Sequence, residues 1–538
     1  MLIATDPMLD DGQDTLTSAL AKAVALSPDG IFFDIEGHRQ TYREFDLATD
    51  RMANALAAIG TKAGETVVTI LDSSEDVLII WFGTNKLGAI WVPINVAYSG
   101  DLLLHQIRES GARIVICDPV YLERLVAIAD QLQDVQLILS RGRGPYPACS
   151  ITIASFDAHR GSDTTPVVAD IRPETLAALL FTSGTTGPSK ACMISHNYLL
   201  NQGRQQRRLA PQQAGDIAWT CLPMFHLAAL MVVMGALATG GRFAMSRNFS
   251  ITNFWSEIER TGATEAMLLS NIVALIATAP ESEAAKRCFG QLRTVISGVF
   301  PDQCRAPWIE RFGTQRIVSG AFGQTEANRV CFRFADDSTP TDSCGRPADE
   351  FEVRIVDDLD NEVPEGITGE IVLRPRKPNV MFSGYWQRPE ETVRVWRNLW
   401  MHTGDLGAMR DGALYFMDRG KDYLRTRGEN VSSFELERIF SKHADIAEVA
   451  VHAVTAQTDD DEIKVTAVLR DGATLSELQL CNWAIEQLPY FAVPVYYEFR
   501  EALYRNPTGK ILKYRLREEG LTPATWSRLD HGIVVRRR

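Results

Sequence analysis

In the first part of the chain, segments with apolar residues at helical spacing alternate with apolar runs of strand length. Apolar residues at helical spacing follow a capping box at Thr41 and Glu44, which predicts a helix that ends near Gly60. Apolar runs of strand length then alternate with helical stretches, as in a strand at Thr66 to Leu71 and a helix at Glu75 to Leu87. Strands that alternate with helices of this length predict parallel sheets covered by helices.

The pattern changes towards the C-terminus. The stretch from Gly345 to Trp386 is rich in strands and turns, and it predicts a small β subdomain that completes the larger part of the chain. A further amphipathic helix follows a capping box at Ser432 and Glu435, and two strands and a helix at Leu475 to Gln487 come after it. This last segment is long enough to form a small α+β domain.

Composition narrows the class of protein. The chain has 538 residues, with 55 Lys plus Arg against 68 Asp plus Glu and a net charge of -13, so a nucleic acid partner is disfavoured. Its nine cysteines show no C-x-x-C pair and no metal-ligand spacing, which suits a reducing compartment. No apolar run is long enough to span a bilayer. We therefore predict a cytoplasmic enzyme without integral membrane association.

A loop of small hydroxyl residues and glycines ends the apolar run from Leu176 to Phe181. Gly184 and Gly187 lack the Cβ that would keep backbone N–H groups away from a bulky anion. Donors for phosphate oxygens are available from Thr182, Ser183, Thr185, Thr186 and Lys190. The spacing is not that of a Walker loop. The loop predicts a polyphosphate site, and the alternative is a surface turn of ordinary composition.

Five further motifs follow this loop along the chain. They are Phe322-Gly323-Gln324-Thr325-Glu326, Thr403-Gly404-Asp405, Asp418-Arg419-Gly420-Lys421-Asp422, Arg427-Gly428-Glu429-Asn430 and Pro507-Thr508-Gly509-Lys510. In this order the six motifs resemble the acyl-adenylate-forming superfamily, which includes acyl-CoA synthetases, adenylation domains and firefly luciferase. The resemblance runs from about Thr41 to Lys510, and the run from Arg427 to Glu437 looks most like carnitine/crotonobetaine-CoA-ligase-type members.

The resemblance implies an α/β fold in two parts. Residues 1–418 would form a large N-terminal AMP-binding domain, built of parallel-sheet αβαβα subdomains plus the small β subdomain. Residues 423–538 would form the smaller, mobile α+β C-terminal domain. A hinge at residues 419–422 would join them, and Lys421 matches the residue whose backbone torsions re-aim the small domain.

The resemblance also implies the residues that hold ATP. The adenine and acyl pockets would be lined by Val299, Phe300, Pro301, Ala321, Phe322, Gly323 and Gln324. Val299 and Phe300 are larger than the glycine and alanine that the family commonly has there. Phe322 keeps a flat ring for stacking on adenine. Asp405, placed at the end of a strand, would accept hydrogen bonds from the ribose diol, with Arg419 beside it.

The remaining assignments concern the chemistry. The resemblance gives Thr325 as a donor to the α-phosphate, Glu326 as the ligand of Mg²⁺ and Lys510 as the adenylation lysine. His226 would lie at the carboxylate pocket, and its alternative role is that of an ordinary core histidine. Gly428 would let the pantetheine arm of coenzyme A pass close to the backbone.

The function implied is that of an ATP-dependent acyl-CoA ligase. A carboxylic acid and MgATP form an acyl-adenylate, and the acyl group then passes to CoA with release of AMP. One alternative is a stand-alone adenylation enzyme that loads an acyl carrier protein in trans; others are a luciferase-like oxygenase and a catalytically silent nucleotide-binding protein. Fatty, carnitine-like, aromatic and steroid side-chain acids remain open as substrates, and so does a homodimer as the assembly.

Overall fold

The computed structural model describes residues 12–182, 189–212, 215–298, 300–333, 339–419, 423–426, 429–455, 461–488, 492–506 and 509–535. The first part of the chain alternates helices and strands, as its sequence pattern predicts. Its elements are α1 (Leu16–Leu26), β1 (Ile31–Ile35), β2 (His38–Thr41), α2 (Tyr42–Ala58), β3 (Thr66–Ile70), α3 (Glu75–Lys86), β4 (Ile90–Pro93), α4 (Gly100–Ser110), β5 (Ile114–Cys117), α5 (Leu122–Val126), β6 (Leu137–Ser140), β7 (Thr152–Ser155), β8 (Leu176–Phe181) and β9 (Ala191–Ser195). The predicted capping box is present, since Thr41 and Glu44 each accept a hydrogen bond from the backbone N–H of the other.

Seven of these strands form a first sheet in the order β7-β6-β5-β3-β4-β8-β9. Every neighbouring pair is parallel except β8 and β9, which run antiparallel. The carboxyl ends of parallel strands lie at one edge of a sheet, where ligands bind in open α/β folds. The loop that follows β8 therefore leaves the sheet at that edge.

The second part of the chain builds another sheet of the same kind. Its elements are α6 (His196–Leu209), β10 (Ile217–Thr220), α7 (Leu227–Leu237), β11 (Arg242–Met245), α8 (Phe254–Thr261), β12 (Glu265–Met267), α9 (Ser270–Thr278), α10 (Glu283–Arg287), β13 (Thr294–Ile296), α11 (Arg305–Glu310) and β14 (Arg316–Val318). The strand order is β14-β13-β12-β10-β11-β1-β2, so β1 and β2 return from the start of the chain to complete it. All its pairs are parallel except β1 with β2.

One hydrophobic core joins the two sheets. It contains residues of both sheets and of α1, α2, α3, α6 and α7. In α3 every residue from Asp76 to Lys86 is buried, and its apolar middle from Val77 to Phe82 lies in this core. Trp81 of this helix stacks on Trp91 of β4, with ring centroids 4.7 Å apart. The layers of helices and sheets predicted for the large domain are confirmed.

The helix α6 is longer than the sequence indicates. The sequence pattern predicts a helix that is capped by Ser195 and runs through Leu200. In the structure α6 continues to Leu209, and its polar residues Gln205 and Gln206 are buried. Gln205 donates a hydrogen bond to the carbonyl of Arg329, and Gln206 donates to Glu265. Buried polar groups with such partners can continue a helix into a core, which an apolar pattern does not reveal.

The third part of the chain is rich in strands, as predicted. It contains β15 (Ala321–Gln324), β16 (Asn328–Phe332), β17 (Arg346–Pro347), β18 (Phe351–Val356), β19 (Gly369–Pro375), α12 (Pro389–Val395), β20 (Trp396–Arg397), β21 (Trp400–Arg410) and β22 (Ala413–Arg419). The strands β15, β16 and β17 form one antiparallel sheet. The strands β18 to β22 form a second one.

The last part of the chain has cores of its own. It contains β23 (Tyr423–Thr426), β24 (Glu429–Ser432), α13 (Ser433–Phe440), β25 (Ile446–Thr455), β26 (Asp461–Leu469), α14 (Glu477–Gln487), β27 (Tyr496–Phe499), α15 (Lys513–Glu519) and β28 (Trp526–Ser527). The sheet β25-β26-β27-β28 is antiparallel except between β26 and β27. The predicted α/β class, with a large parallel-sheet domain and a smaller C-terminal domain, is confirmed. The exact domain limits and the mobility of the small domain stay predictions.

Within the described ranges, every helix is too short or too polar to cross a lipid bilayer.

Candidate active site

The loop after β8 is closed at its base by its own ends. The backbone N–H of Thr182 donates to the carbonyl of Lys190 at 2.9 Å, and the N–H of Lys190 donates to Thr182 Oγ1 at 3.2 Å. The structure thus brings these two predicted site residues together across the ladder of β8 and β9. The other predicted loop residues lie outside the described residues; they are Ser183, Gly184, Thr185, Thr186 and Gly187.

The side chain of Lys190 lies against a tyrosine and a carboxylate. Its Nζ is 4.7 Å from the centroid of the Tyr385 ring and 3.3 Å from Glu391 Oε2. On the other side, the Tyr385 hydroxyl donates a hydrogen bond to Glu326 Oε1 at 2.7 Å. Burial and the Glu326 carboxylate raise the pKa of Tyr385, which keeps its hydroxyl a donor. Tyr385 therefore joins the base of the loop to the predicted catalytic carboxylate.

Glu326 and Thr325 lie in the turn of the hairpin formed by β15 and β16. The carbonyl of Thr325 accepts a hydrogen bond from the Tyr198 hydroxyl at 2.8 Å, and that of Glu326 accepts one from the N–H of Phe382 at 2.8 Å. At Gly323 an added Cβ would lie 2.0 Å from the carbonyl oxygen of Asn328, so the hairpin closes only around a glycine. The backbone of both predicted catalytic residues is fixed by these contacts.

The predicted adenine strand is β15 itself. Ala321 and Gln324 are half-buried and Gly323 is exposed, whereas only 5% of Phe322 is exposed. The Phe322 ring stacks on Phe416 of β22, with centroids 6.1 Å apart. The exposed surface of this strand is thus the backbone at Gly323, and stacking of adenine on Phe322 stays a prediction.

The segment after β13 lies partly in the core and partly at the surface, although its motif predicts that it lines the ligand pockets. Phe300 is buried, and its ring meets Trp308 of α11 edge to face at 6.2 Å, so it contributes to the core. Pro301 is half-buried and Gly298 is exposed. Val299 lies outside the described residues. A role of Phe300 and Pro301 in shaping the acyl pocket stays a prediction.

Asp405 lies inside a strand, and the prediction that it ends one is wrong. The strand β21 continues to Arg410, but its pairing with β19 is interrupted between His402 and Leu406. Gly404 takes a positive φ of 71° in this interruption, and Thr403 Oγ1 donates to the carbonyl of Ile371 at 2.7 Å. The interruption is a bulge, which re-aims a side chain without ending the strand.

The bulge also places Asp405 opposite the second residue predicted at the ribose. Asp405 is buried, and its Cα pairs with that of Arg419 in the antiparallel ladder of β21 and β22. The structure thus brings the backbones of this pair together. The predicted hinge residue Lys421 and the predicted pantetheine contact Gly428 lie outside the described residues.

His226 begins the apolar helix α7. It occupies the position before the first helical residue, and its ring centroid is 4.7 Å from that of Phe225. Burial lowers the pKa of His226 to about 4, so its imidazole is neutral near pH 7. Phe225, Leu227 and Ala228 are half-buried, like His226 itself. This half-buried turn carries apolar groups and one neutral ring.

Lys510 lies on a turn in the C-terminal part. Its N–H donates to Asn506 Oδ1 at 2.8 Å, and its carbonyl accepts from the N–H of Asn506 at 2.9 Å. Gly509, at a positive φ of 82°, donates its N–H to the carbonyl of Asn506. Arg505 and Ile511 pair as an isolated β-bridge on either side. Asn506 thus fixes the backbone of the predicted adenylation lysine.

The donor set fits Mg²⁺ that arrives with its nucleotide. Among the described residues no group of three or more His, Cys, Asp or Glu side chains could hold a metal ion. Glu326 supplies a single, largely buried carboxylate. Mg²⁺ is typically held by one or two carboxylates together with phosphate oxygens and water. Glu326 together with a polyphosphate matches that pattern.

The sequence analysis missed the residues that connect these pieces. Tyr385 belongs to a stretch assigned only to the β subdomain, and Tyr198 and Glu391 belong to no motif. A tyrosine after a glycine at the end of a strand-rich segment gives little signal by itself. Their roles depend on contacts between segments far apart along the chain.

A family model described as "AMP-binding enzyme" matches residues 20–386, and one described as "AMP-binding enzyme C-terminal domain" matches residues 435–510. The chain belongs to the AMP-binding enzyme family. Curated relatives of this AMP-binding enzyme include the crotonobetaine/carnitine–CoA ligase of Proteus mirabilis, which is 30% identical over 94% of this chain and 97% of the relative. The Salmonella arizonae protein of the same name is 29% identical over 89% and 93%.

Solved structures agree with this membership. ATP-bound MatB from Rhodopseudomonas palustris is 26% identical and superposes with a TM-score of 0.82, covering 94% of this AMP-binding enzyme and 98% of MatB. An anthranilate CoA ligase, AuaEII, in complex with anthranoyl-AMP reaches a TM-score of 0.84 at 22% identity, covering 97% and 99%. The second likeness supports the fold alone.

Proposed function

We infer that the protein is an ATP-dependent acyl-CoA ligase. It forms an acyl-adenylate from a carboxylic acid and MgATP, and it transfers the acyl group to CoA with release of AMP. One observation carries this inference in the structure: Lys190, at the base of the hydroxyl-rich loop, and Glu326, in the hairpin turn, both contact Tyr385. That arrangement places a cation over the ring and a buried carboxylate at the hydroxyl of one tyrosine. A cation that can bind phosphate oxygens and a carboxylate that can bind Mg²⁺ are the groups that suit a metal polyphosphate.

The first half-reaction is a displacement at phosphorus. A carboxylate oxygen of the acid attacks the α-phosphorus of ATP, and the bond to the bridging oxygen of pyrophosphate breaks. Negative charge is spread over the phosphate oxygens, so the enzyme acts by positioning and by electrostatic stabilisation. In our proposal Lys190 and the loop hold the β- and γ-phosphates, while Thr325 and Lys510 donate to the α-phosphate.

Mg²⁺, when bound at Glu326, would neutralise part of the polyphosphate charge. Tyr385 then has a role of its own, because its hydroxyl fixes one oxygen of Glu326 and its ring lies beside Lys190. We propose that Asp405 accepts hydrogen bonds from the ribose hydroxyls and that Arg419 acts beside it.

In the second half-reaction the CoA thiol must reach the acyl-adenylate, where Lys510 acted in the first. The CoA thiol loses its proton to water and its sulfur attacks the acyl carbonyl carbon, and AMP leaves with the electron pair of the broken C–O bond. We propose that the C-terminal part turns at Lys421, so that Lys510 withdraws and Gly428 lines the path of the pantetheine arm. Domain rotations about a few residues of this kind are common.

The acid itself is, in our proposal, one with an uncharged, apolar acyl group. The first turn of α7, with Phe225 and Leu227 around a neutral His226, offers no counter-charge. The relatives named for crotonobetaine and carnitine take acids that carry a trimethylammonium group. Burying such a cation without a partner is costly, so this turn favours a different acid.

The test is acid-dependent ATP–pyrophosphate exchange with a panel of acids, followed by mass spectrometry of the product. We expect exchange with fatty or aromatic acids to exceed that with crotonobetaine or carnitine at least tenfold. Preference for the trimethylammonium acids would overturn the assignment of the acid, and absence of exchange with every acid would overturn the ligase. A product seen only on a phosphopantetheinylated carrier protein would replace CoA as the acceptor.

We place this enzyme in the cytoplasm. All nine cysteines are free thiols in the structure, which suits a reducing compartment. Localisation of a tagged full-length chain would test the compartment, and light scattering would test whether the enzyme forms a homodimer.

A further inference from the structure

The side chain of Lys190 is tied to two helices that the loop motif does not include. Glu391, in α12, accepts a hydrogen bond from Arg388 at 2.7 Å through Oε1 and lies 3.3 Å from Lys190 Nζ through Oε2. Arg388 in turn donates to Glu109 of α4, with Nη2 2.7 Å from Oε2. The charges alternate along this row: Lys190, Glu391, Arg388 and Glu109.

One of these helices, α4, also holds the residue before Lys190. From α4, the ring Nε2 of His105 lies 2.7 Å from the carbonyl oxygen of Ser189, and Gln106 donates to Ser189 Oγ at 3.1 Å. The C-terminal base of the loop is therefore fixed by α4 through Ser189 and by α12 through Lys190. Motion of the loop base is limited, so the Lys190 ammonium stays within reach of Glu391.

Glu391 is an anion at neutral pH. Burial alone would raise the pKa of its carboxyl, but the hydrogen bonds from Arg388 and Lys190 outweigh burial and lower that pKa. Its side chain is 25% exposed and that of Lys190 is 27% exposed, so the pair is only partly shielded from water. An ion pair of this kind is weak enough for a polyphosphate to displace.

We propose that Glu391 is a positioning residue that competes with the polyphosphate for Lys190 and thereby promotes release of pyrophosphate. This inference rests on the proposed function, in which Lys190 binds the β- and γ-phosphates. Glu391 is fixed next to the ammonium by Arg388, so it recaptures Lys190 whenever a phosphate oxygen leaves.

The test compares Glu391→Gln with Glu390→Gln. Glu390 is the preceding residue and is exposed, so it is a control with the same change of charge on the same helix. Titration calorimetry in Mg²⁺ buffer measures the dissociation constants of pyrophosphate, ATP and AMP. We expect E391Q to bind pyrophosphate and ATP about two- to fivefold more tightly, since loss of a partly exposed ion pair has effects of this size. Binding of AMP, which lacks the β- and γ-phosphates, should not change.

A double-mutant cycle shows whether Glu391 acts through Lys190. In a Lys190→Met background we expect E391Q to leave pyrophosphate affinity unchanged. Methionine carries no positive charge for which Glu391 and pyrophosphate could compete. A gain that persists in this background would overturn the proposal. Equal pyrophosphate affinity in E391Q and E390Q would overturn it as well, as would a change for AMP as large as that for pyrophosphate.

These outcomes are separate from failure of the ligase assignment. The binding titrations need no acid and no turnover, so they report on Glu391 even if acid-dependent exchange is absent. Absence of exchange in the wild-type protein would overturn the proposed function, while a changed pyrophosphate affinity in E391Q would still support competition at Lys190.

Discussion

The two lysines assigned to ATP are held in different ways. Lys190 has a fixed side chain, with the Tyr385 ring on one side and Glu391 on the other. Lys510 has a fixed backbone, because Asn506 bonds both its N–H and its carbonyl in a turn. The first arrangement suits a cation that stays with the large domain. The second suits a cation that must be delivered and withdrawn with its whole turn. In our proposal this difference matches the two roles, since Lys190 binds the polyphosphate and Lys510 acts at the α-phosphorus.

Lys510→Ala should reduce activity more than any other change, because Lys510 is assigned to the chemical step. Loss of one preorganised donor to a transition state typically costs about 10²–10³ in rate, or roughly 3–4 kcal/mol. We expect a loss of that size in acid-dependent ATP–pyrophosphate exchange. Thioester formation from supplied acyl-AMP should remain within about twofold. Lys442→Ala, an exposed lysine in the same part of the chain, is the control. Equal loss in both half-reactions would refute a role confined to adenylation.

Lys190→Ala should act on binding of ATP. We expect the KM for ATP in the exchange reaction to rise about tenfold, because one charge-assisted contact to the β- and γ-phosphates is lost. The affinity for AMP should not change, since AMP lacks those groups. Lys62→Ala, another exposed lysine of the large domain, is the control. A fall in kcat with an unchanged KM would assign Lys190 to the chemical step and remove the contrast with Lys510.

Asn506→Ala should weaken the turn that carries Lys510. The amide oxygen that accepts the Lys510 N–H at 2.8 Å is lost, and a misplaced catalytic group reduces rate. We expect about a tenfold lower exchange rate, with thioester formation from acyl-AMP unaffected. Asn506→Asp retains an acceptor oxygen and should restore most of the rate. Failure of the aspartate variant to restore it would show that the amide acts in some other way than by holding the turn.

The change expected to affect catalysis least concerns the pH dependence of stability in the sheet that contains β25. His452 of β25 is buried, and its pKa falls from its ordinary 6.5 to about 4 because burial disfavours the charged ring. Its contribution to stability is therefore complete above pH 6.5 and is lost as pH falls towards 4. Between pH 7 and pH 5 we expect β25 to lose about 2 kcal/mol of local unfolding free energy, as measured by amide hydrogen exchange.

His452→Gln provides the comparison for that measurement. Glutamine can still bond to Thr466, whose hydroxyl lies 3.2 Å from His452 Nε2, but it does not titrate. The loss between pH 7 and pH 5 should be smaller in this variant by the same amount. Equal losses in both proteins would show that His452 does not set the response to acid. The α15 helix, which follows the Lys510 turn, packs on this sheet through Leu516 and Ala450, so acid should also loosen the support of that turn.

Local signals in the sequence were sufficient for most of the fold. The capping residues Thr41 and Glu44 and the apolar run of β8 determine their elements through neighbours along the chain, and the structure agrees with both. The bulge at Asp405 could not be predicted in this way, since it depends on how β21 pairs with β19. Likewise, the end of α6 depends on partners for Gln205 and Gln206 on distant strands.

The same contrast between local signals and long-range contacts applies to the candidate site. Its motifs named Lys190 and Glu326, but the residue that joins them is Tyr385, which lies far from both in sequence. A motif reports which groups occur along one short segment. It carries no information about a contact made by a segment folded from elsewhere, so Glu391 was not predicted at all.

The bond between Arg388 and Glu109 spans 279 positions of the chain. On a ribosome, α4 is complete long before α12 emerges, and contacts this remote in sequence form late because a long segment must first be closed. A nascent chain that ends before residue 388 has every residue of the phosphate loop but lacks Glu391 and the link from α12 to α4. We therefore expect a nascent chain to reach the ATP affinity of the full-length protein only after α12 has been synthesised.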